Sequence, residues 1–151
     1  MSRTPSQIGR LAKQRGEGFE REIAHALFDE LGITFVRELE QVRTAGLSDL
    51  IPDDEKFPFA LELKRRRSGV GIPKGAWQQS TEASDIDAGI YPAVIYRYDN
   101  RKARCVVPYS AIVEGELGAK TKNINDKAEI SFPRFCKLSR EIMAWRSIND
   151  Q

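Results

Sequence analysis

The chain has 151 residues, and its 24 Lys and Arg against 22 Asp and Glu leave a formal net charge of only +2. With 40% hydrophobic and 30% charged residues, it carries enough apolar material for one core and too much for a disordered tail. Apolar runs are as short as Ala93-Val94-Ile95, no signal-peptide core opens the chain, and the two cysteines, Cys105 and Cys136, have no zinc-ligand spacing. Membrane-spanning, secreted and disulfide-framed classes are therefore excluded, and a protein of the reducing cytoplasm is expected.

Residues 1–15 are polar and basic, with Arg3, Arg10, Lys13 and Arg15, and are expected to form a flexible arm ahead of a single domain over 16–151. Over 17–31, Phe19, Ile23, Ala26, Leu27 and Leu31 make a helical stripe that Gly32 ends. Ile33, Phe35 and Val36 predict a strand over 33–39, followed by a loop at Thr44-Ala45-Gly46. Strands at 48–51 and 57–65 flank the acidic turn Pro52-Asp53-Asp54-Glu55-Lys56 and predict a hairpin. Gly69, Gly71 and Pro73 mark a loop, 76–84 a helix, and 91–98 with 103–107 a strand pair about Asp99-Asn100. A short helix follows Pro108, a polar loop covers about 115–127, 130–135 is extended, and Ser139 N-caps a last helix ending near Trp145. The predicted order is α-β-β-β-α-β-β with a small C-terminal addition from about 115. This is an α/β fold, a mixed central sheet flanked by helices.

One strand breaks its own pattern. In Phe59-Ala60-Leu61-Glu62-Leu63-Lys64, alternation places Phe59, Leu61 and Leu63 on one face and Ala60, Glu62 and Lys64 on the other. In a central strand both charged groups are partly desolvated and need partners; on an edge strand they face water. Asp49, in Leu47-Ser48-Asp49-Leu50-Ile51, lies on the partner strand of the hairpin, so the two carboxylates converge. Two converging carboxylates repel unless a divalent cation sits between them, and hard oxygen ligands favour Mg²⁺, with Mn²⁺ the second choice. Lys64 then faces whatever the cation holds, which suits a phosphate or an attacking water and describes a hydrolytic site for phosphodiesters. The Leu63 carbonyl is a further candidate metal ligand.

Glu20 falls inside the apolar stripe of the first helix, where it needs either a nearby metal, a salt bridge or a path to water. Gln78 and Gln79, after Trp77, offer amides for a phosphate or water, or are surface. Thr44 and Ser48 either hold a phosphate or end a strand, and His25, the single histidine, reads as structural. Positive charge is segregated: Lys64-Arg65-Arg66-Arg67 with Lys74, and Arg97, Arg101, Lys102 and Arg104 about a turn. Such clusters give a local positive field for a phosphate backbone, or are solvated loops.

Gly18-Phe19-Glu20-Arg21-Glu22, then Arg43-Thr44-Ala45-Gly46 leading into Ser48-Asp49-Leu50, then Leu61-Glu62-Leu63-Lys64, resembles the PD-(D/E)XK nuclease superfamily. Within it, the chain is most similar to the archaeal-type Holliday junction resolvases and their viral relatives, over about residues 16–107. The resemblance implies a restriction-endonuclease-like core, with Glu20, Asp49, Glu62 and Lys64 as the metal site and Gln78 matching a helix glutamine of other branches. Ser48 stands where the family commonly has proline before the aspartate. It implies a Mg²⁺-dependent structure-specific DNA endonuclease of viral or prokaryotic type, acting on four-way junctions as a homodimer. Arg43, Thr44, Ser48, Arg65, Arg66, Arg67, Lys74, Arg101 and Lys102 are the candidate DNA contacts. The rival readings are a restriction-like or repair nuclease of the same superfamily and a non-catalytic nucleic-acid-binding protein. The strand residues near Val94–Tyr98, with Phe132, Phe135 and Trp145, are the candidate dimer surface.

Overall fold

The computed structural model describes residues 3–37 and 48–150. A 27-residue helix, α1 (Pro5–Leu31), leads to three strands, β1 (Phe35–Arg37), β2 (Leu50–Pro52) and β3 (Phe59–Arg66). Helix α2 (Ala76–Ala83) crosses to β4 (Tyr91–Tyr98), which turns into β5 (Arg104–Pro108). Helix α3 (Tyr109–Leu117), strand β6 (Lys127–Ser131) and helix α4 (Phe132–Asn149) complete the chain.

The strands form one sheet in the order β1-β2-β3-β4-β5-β6. Only β3 and β4 run parallel; every other neighbour is antiparallel. A parallel pair needs a crossover, and α2 provides it. Strands covered on both faces read as nearly continuous apolar runs, and Tyr91 to Tyr96 and Phe59 to Leu63 are buried without a break. On one face, Phe59, Leu61, Leu63, Ala93 and Ile95 meet Phe19, Ile23 and Leu27 of α1, Ala111 of α3, and Phe135, Leu138 and Ile142 of α4. On the other, Val94, Tyr96 and Val106 meet Ala76 of α2, with Ile72 and Trp77 beside them. Among the described residues, no helix is long and apolar enough to cross a membrane.

Both ends of the chain depart from the sequence reading. Residues 5–15, expected as an arm ahead of the first helix, are its first turns. Thr4 Oγ1 accepts from Gln7 N at 3.2 Å and Gln7 Oε1 accepts from Thr4 N at 2.9 Å, a capping box with Pro5 behind it. The opposite end of α1 is as predicted: Gly32 takes the left-handed conformation (φ 69°) and its N–H closes on the Phe28 carbonyl. At the other terminus, the segment expected to be extended to 135 becomes helical at Phe132. Ser131, not Ser139, is the N-cap and accepts from Arg134 N at 3.2 Å. Ser139 is buried inside α4 and donates to the Phe135 carbonyl. The region from about 115, expected as an addition, supplies the sixth strand and a helix of the main core. Of the candidate dimer surface, Val94, Ile95 and Tyr96 are buried because β4 is a central strand, and Phe135 of α4 is buried in the core, whereas Arg97, Tyr98 and Phe132 are half-buried and Trp145 is exposed.

At the start of β4, the buried Tyr91 and Glu114 and the half-buried Arg146 tie α3 and α4 to the sheet. Tyr91 Oη donates to Glu114 Oε1 at 2.6 Å, and Arg146 donates Nε and Nη2 to Glu114 at 2.9 Å each. Burial pushes the Glu114 carboxyl up, but the hydrogen bonds from Arg146 and then Tyr91 outweigh it and hold it below its ordinary value. A depressed carboxylate stabilises the fold above its unfolded-state pKa and loses that contribution as pH falls through the folded one. Arg146→Ala should therefore cost about 3 kcal/mol at neutral pH, by leaving a buried charge without its cation. Urea unfolding checks it, and the gap between wild type and variant should narrow as pH falls through the carboxylate range.

Candidate active site

The hairpin of β2 and β3 is in register with Leu50 opposite Leu61. Asp49 sits in the bend one residue before β2, and Glu62 follows Leu61 on β3. Glu62 lies beside Val94, on the face that α2 covers, away from the α1 core. Asp49 N–H donates to the Leu61 carbonyl at 2.9 Å, and the Asp49 carboxylate accepts the Leu63 N–H at 2.8 Å. The N–H and C=O of one strand residue leave by the same edge, so the Leu63 carbonyl also faces the Asp49 side. Both acids are buried, Asp49 at 3% and Glu62 at 5% exposure.

Lys64, two residues on and on the same face, places Nζ 3.0 Å from Glu62 Oε1. The ion pair thus sits at the margin of the cover. Helix α2 is pinned over the earlier part of the strand: Ser80 Oγ lies 3.2 Å from the Ala60 carbonyl and 3.0 Å from that of Ala93, and accepts the Ala93 N–H at 2.8 Å. Ala60 is fully covered there, while Lys64 is half-buried and Arg66 and Arg67 are exposed.

Glu20 approaches from α1. Arg37 Nε donates to its Oε2 at 2.8 Å, and Arg37 also lies 3.8 Å from Glu17. Sequence reasoning missed Arg37, although a signal existed: Ile33, Phe35 and Arg37 alternate onto one strand face, so a cation stands in an apolar stripe just as Glu20 does. Among the described residues, no three His, Cys, Asp or Glu side chains are gathered closely enough to hold a metal. Asp49 is tied to Leu63, the residue between Glu62 and Lys64; Glu62 is paired with Lys64, and Glu20 with Arg37. Two carboxylates and a main-chain carbonyl suit a small hard cation that keeps several waters, and this donor set is what β2 and β3 present.

Gln78 is exposed on α2, its amide donating to Glu82 at 3.4 Å, and Gln79 is exposed beside it. His25 is exposed on α1. Ser48 is half-buried, one residue before Asp49. Arg43 and Thr44, with the rest of the predicted loop at 44–46, lie outside the described residues. Of the basic groups, Arg65 is committed within the fold: its Nη1 is 2.6 Å from Asp99 and bonds the Arg66 carbonyl at 3.1 Å. Arg66, Arg67, Lys74, Arg101 and Lys102 are exposed. The Asp99 N–H reaches the Arg66 and Arg67 carbonyls at 3.2 Å each, so the end of β3 and the β4–β5 turn form one basic edge. Arg97, by contrast, is held by Glu22 at 2.6 and 2.8 Å and lies over the Phe19 ring.

A model of the family described as "Phage putative PDDEXK endonuclease" matches residues 11–149. No curated protein matches the chain. Among solved structures, it is similar to Hjc, a Holliday junction resolvase from the archaeal hyperthermophile Archaeoglobus fulgidus, at a TM-score of 0.48 and 15% identity, covering 83% of this chain and 92% of that one.

Proposed function

Since the chain belongs to the phage PDDEXK endonuclease family, we propose that it is a Mg²⁺-dependent endonuclease that hydrolyses phosphodiesters in branched DNA, with the four-way junction as its substrate. The observation that supports the catalytic assignment is the Glu62–Lys64 ion pair at 3.0 Å on β3, with the buried Asp49 carboxylate accepting the N–H of Leu63, the residue between them, at 2.8 Å. Asp49, Glu62 and the Leu63 carbonyl are the groups that would hold the cation, and Glu20 is the proposed third carboxylate. When bound, the cation would lower the pKa of a water and neutralise charge on the phosphate. Asp49, fixed by the Leu63 N–H, keeps its second oxygen at a set angle to the strand edge. Glu62 is buried, which keeps bulk water from its carboxylate. Lys64 is placed to exchange Glu62 for a phosphoryl oxygen or the attacking water, opposing the charge that grows during in-line displacement. Arg66, Arg67, Lys74, Arg101 and Lys102 would hold backbone, which positions DNA without reading sequence. Support for the junction as substrate comes from the motif resemblance and from this sequence-blind basic edge.

Asp49→Ala and Glu62→Ala should each abolish cleavage of a labelled four-way junction while leaving binding intact or tighter, since each removes negative charge facing phosphate. Ca²⁺ should support binding without turnover. Glu20→Gln should retain cleavage only at raised Mg²⁺. Near wild-type rates for the first two variants would overturn the metal-site assignment.

Replacing Arg66 or Arg67 should weaken binding and flatten its logarithmic salt dependence by about one counterion for each phosphate left without its arginine. The same change at Arg65 should act on stability instead, because its guanidinium is bound to Asp99. Titrations at several salt concentrations separate the two.

A junction has approximate two-fold symmetry and needs two nicks, whereas one chain has one site, so the assembly proposed is a two-fold homodimer. Sedimentation with and without junction DNA should show a dimer at micromolar concentration. A monomer in both would reduce the activity to single nicking.

A further inference from the structure

Between β3 and α2 the chain runs Arg66-Arg67-Ser68-Gly69-Val70-Gly71-Ile72-Pro73-Lys74, and at its tip Val70 is 99% exposed. Single exposed apolar residues are ordinary on protein surfaces. This one is held in place from both sides. A Cβ on Gly69 would stand 2.7 Å from the Tyr98 ring, so only glycine lets the loop press against that tyrosine. Tyr98 Oη donates to the Gly71 carbonyl at 2.7 Å, and Gly71 turns at φ 70°, a conformation L side chains rarely adopt. Beyond it, Ile72 packs on the cluster of Ala76, Val94, Tyr96 and Val106. Both stems of the loop are thus anchored to the sheet while an isopropyl group is presented bare.

Its surroundings name its partner. Arg66, Arg67 and Lys74 lie within four residues on either side, and the Asp99 N–H joins the loop's start to the turn bearing Arg101 and Lys102. Those cations draw the phosphate backbone to the loop, and the apolar surface that lies just inside a backbone is the stacked bases. We infer that Val70 is a wedge that enters the base stack of DNA at a branch point beside the site that carries Lys64, six residues upstream. The inference rests on the endonuclease reading and deepens it by naming what selects a branch. Apolar side chains do unstack base steps when bound DNA is bent or opened. One isopropyl group gains less from burial than separating an intact base step costs, so this wedge enters only where stacking is already broken. Branched DNA meets that condition and continuous duplex does not.

The test uses the full chain, in Ca²⁺, with a four-way junction carrying 2-aminopurine at the branch point and a linear duplex of the same sequence. Binding should raise the fluorescence of the junction and not that of the duplex. Val70→Ser should suppress the rise and reduce the junction-over-duplex binding ratio by about five- to tenfold, and Val70→Leu should restore both. The melting temperature of Val70→Ser should match wild type, since the side chain is bare in the free protein. Equal rise and equal preference in Val70→Ser would overturn the wedge. Cleavage of junctions in Mg²⁺ with no rise on binding would overturn it and leave the nuclease standing. A Val70-dependent rise with no cleavage would uphold the wedge and overturn the nuclease.

Discussion

Burying a carboxylate on a strand that is covered from both sides is the constraint around which this protein is arranged. An ion pair broken in such a place costs about 3–5 kcal/mol, a large fraction of the roughly 5–15 kcal/mol that holds an ordinary domain together. Glu62 meets the constraint with the Lys64 ammonium on its own strand and Asp49 with the Leu63 N–H across the ladder. Both solutions need β2 and β3 in a single register. A slip of one residue would turn Glu62 into the α1 core and carry Leu61 to the opposite face. The apolar alternation of Phe59, Leu61 and Leu63 against Phe19 and Ile23 prevents that slip, so the packing of one face fixes the chemistry of the other.

The same logic divides the molecule into two ends. At the start of β4, Tyr91, Glu114 and Arg146 satisfy one another and join three elements, with Arg146 also 5.7 Å over the Tyr91 ring. At the far ends of β3 and β4, Arg65 is held by Asp99 and Arg97 by Glu22, while Arg66, Arg67, Arg101 and Lys102 are open to solvent. Helix α2 decides where one regime gives way to the other. Its Ser80 hydroxyl bonds main-chain groups of both parallel strands at the level of Ala60 and Ala93. Cover therefore ends short of Lys64, and the strand carries its last charged residues into the open.

The parts legible in the sequence were those with a strict period or a single decisive residue. The stripe of α1, its stop at Gly32 and the β2–β3 hairpin follow from such signals, and alternation alone put Glu62 and Lys64 on one face. The start of α4 was not legible by period, because Ile130, Phe132 and Phe135 fit a short strand as well as a helix. The deciding features were Ser131 as cap and Pro133 behind it, weaker than the apolar run they interrupt. The arm failed for the opposite reason: residues 3–11 are exposed, so no apolar stripe marks the helix, and only the capping box of Thr4 and Gln7 announces it. Glu20 stood out as a charge in an apolar stripe and Arg37 could have, yet their pairing joins a helix to an edge strand, a tertiary fact with no local signature. The pairing of Arg65 with Asp99 was illegible for a similar reason, as the two lie far apart along the chain.

On the proposed reading, one lysine serves two states of the site. In the free protein Lys64 offsets the buried Glu62, and in the complex it must oppose a phosphate. A pair at 3.0 Å with the lysine half-buried is strong enough to keep the strand folded, and close enough to solvent for the ammonium to leave. On that reading, a divalent ion beside Glu62 and a phosphodiester beside Lys64 would together replace the contact the two side chains make with each other, and opposite charges attract most strongly where the dielectric is low. The pairing of Glu62 with Lys64 would, on that reading, couple metal and substrate through electrostatics, by the movement of one side chain.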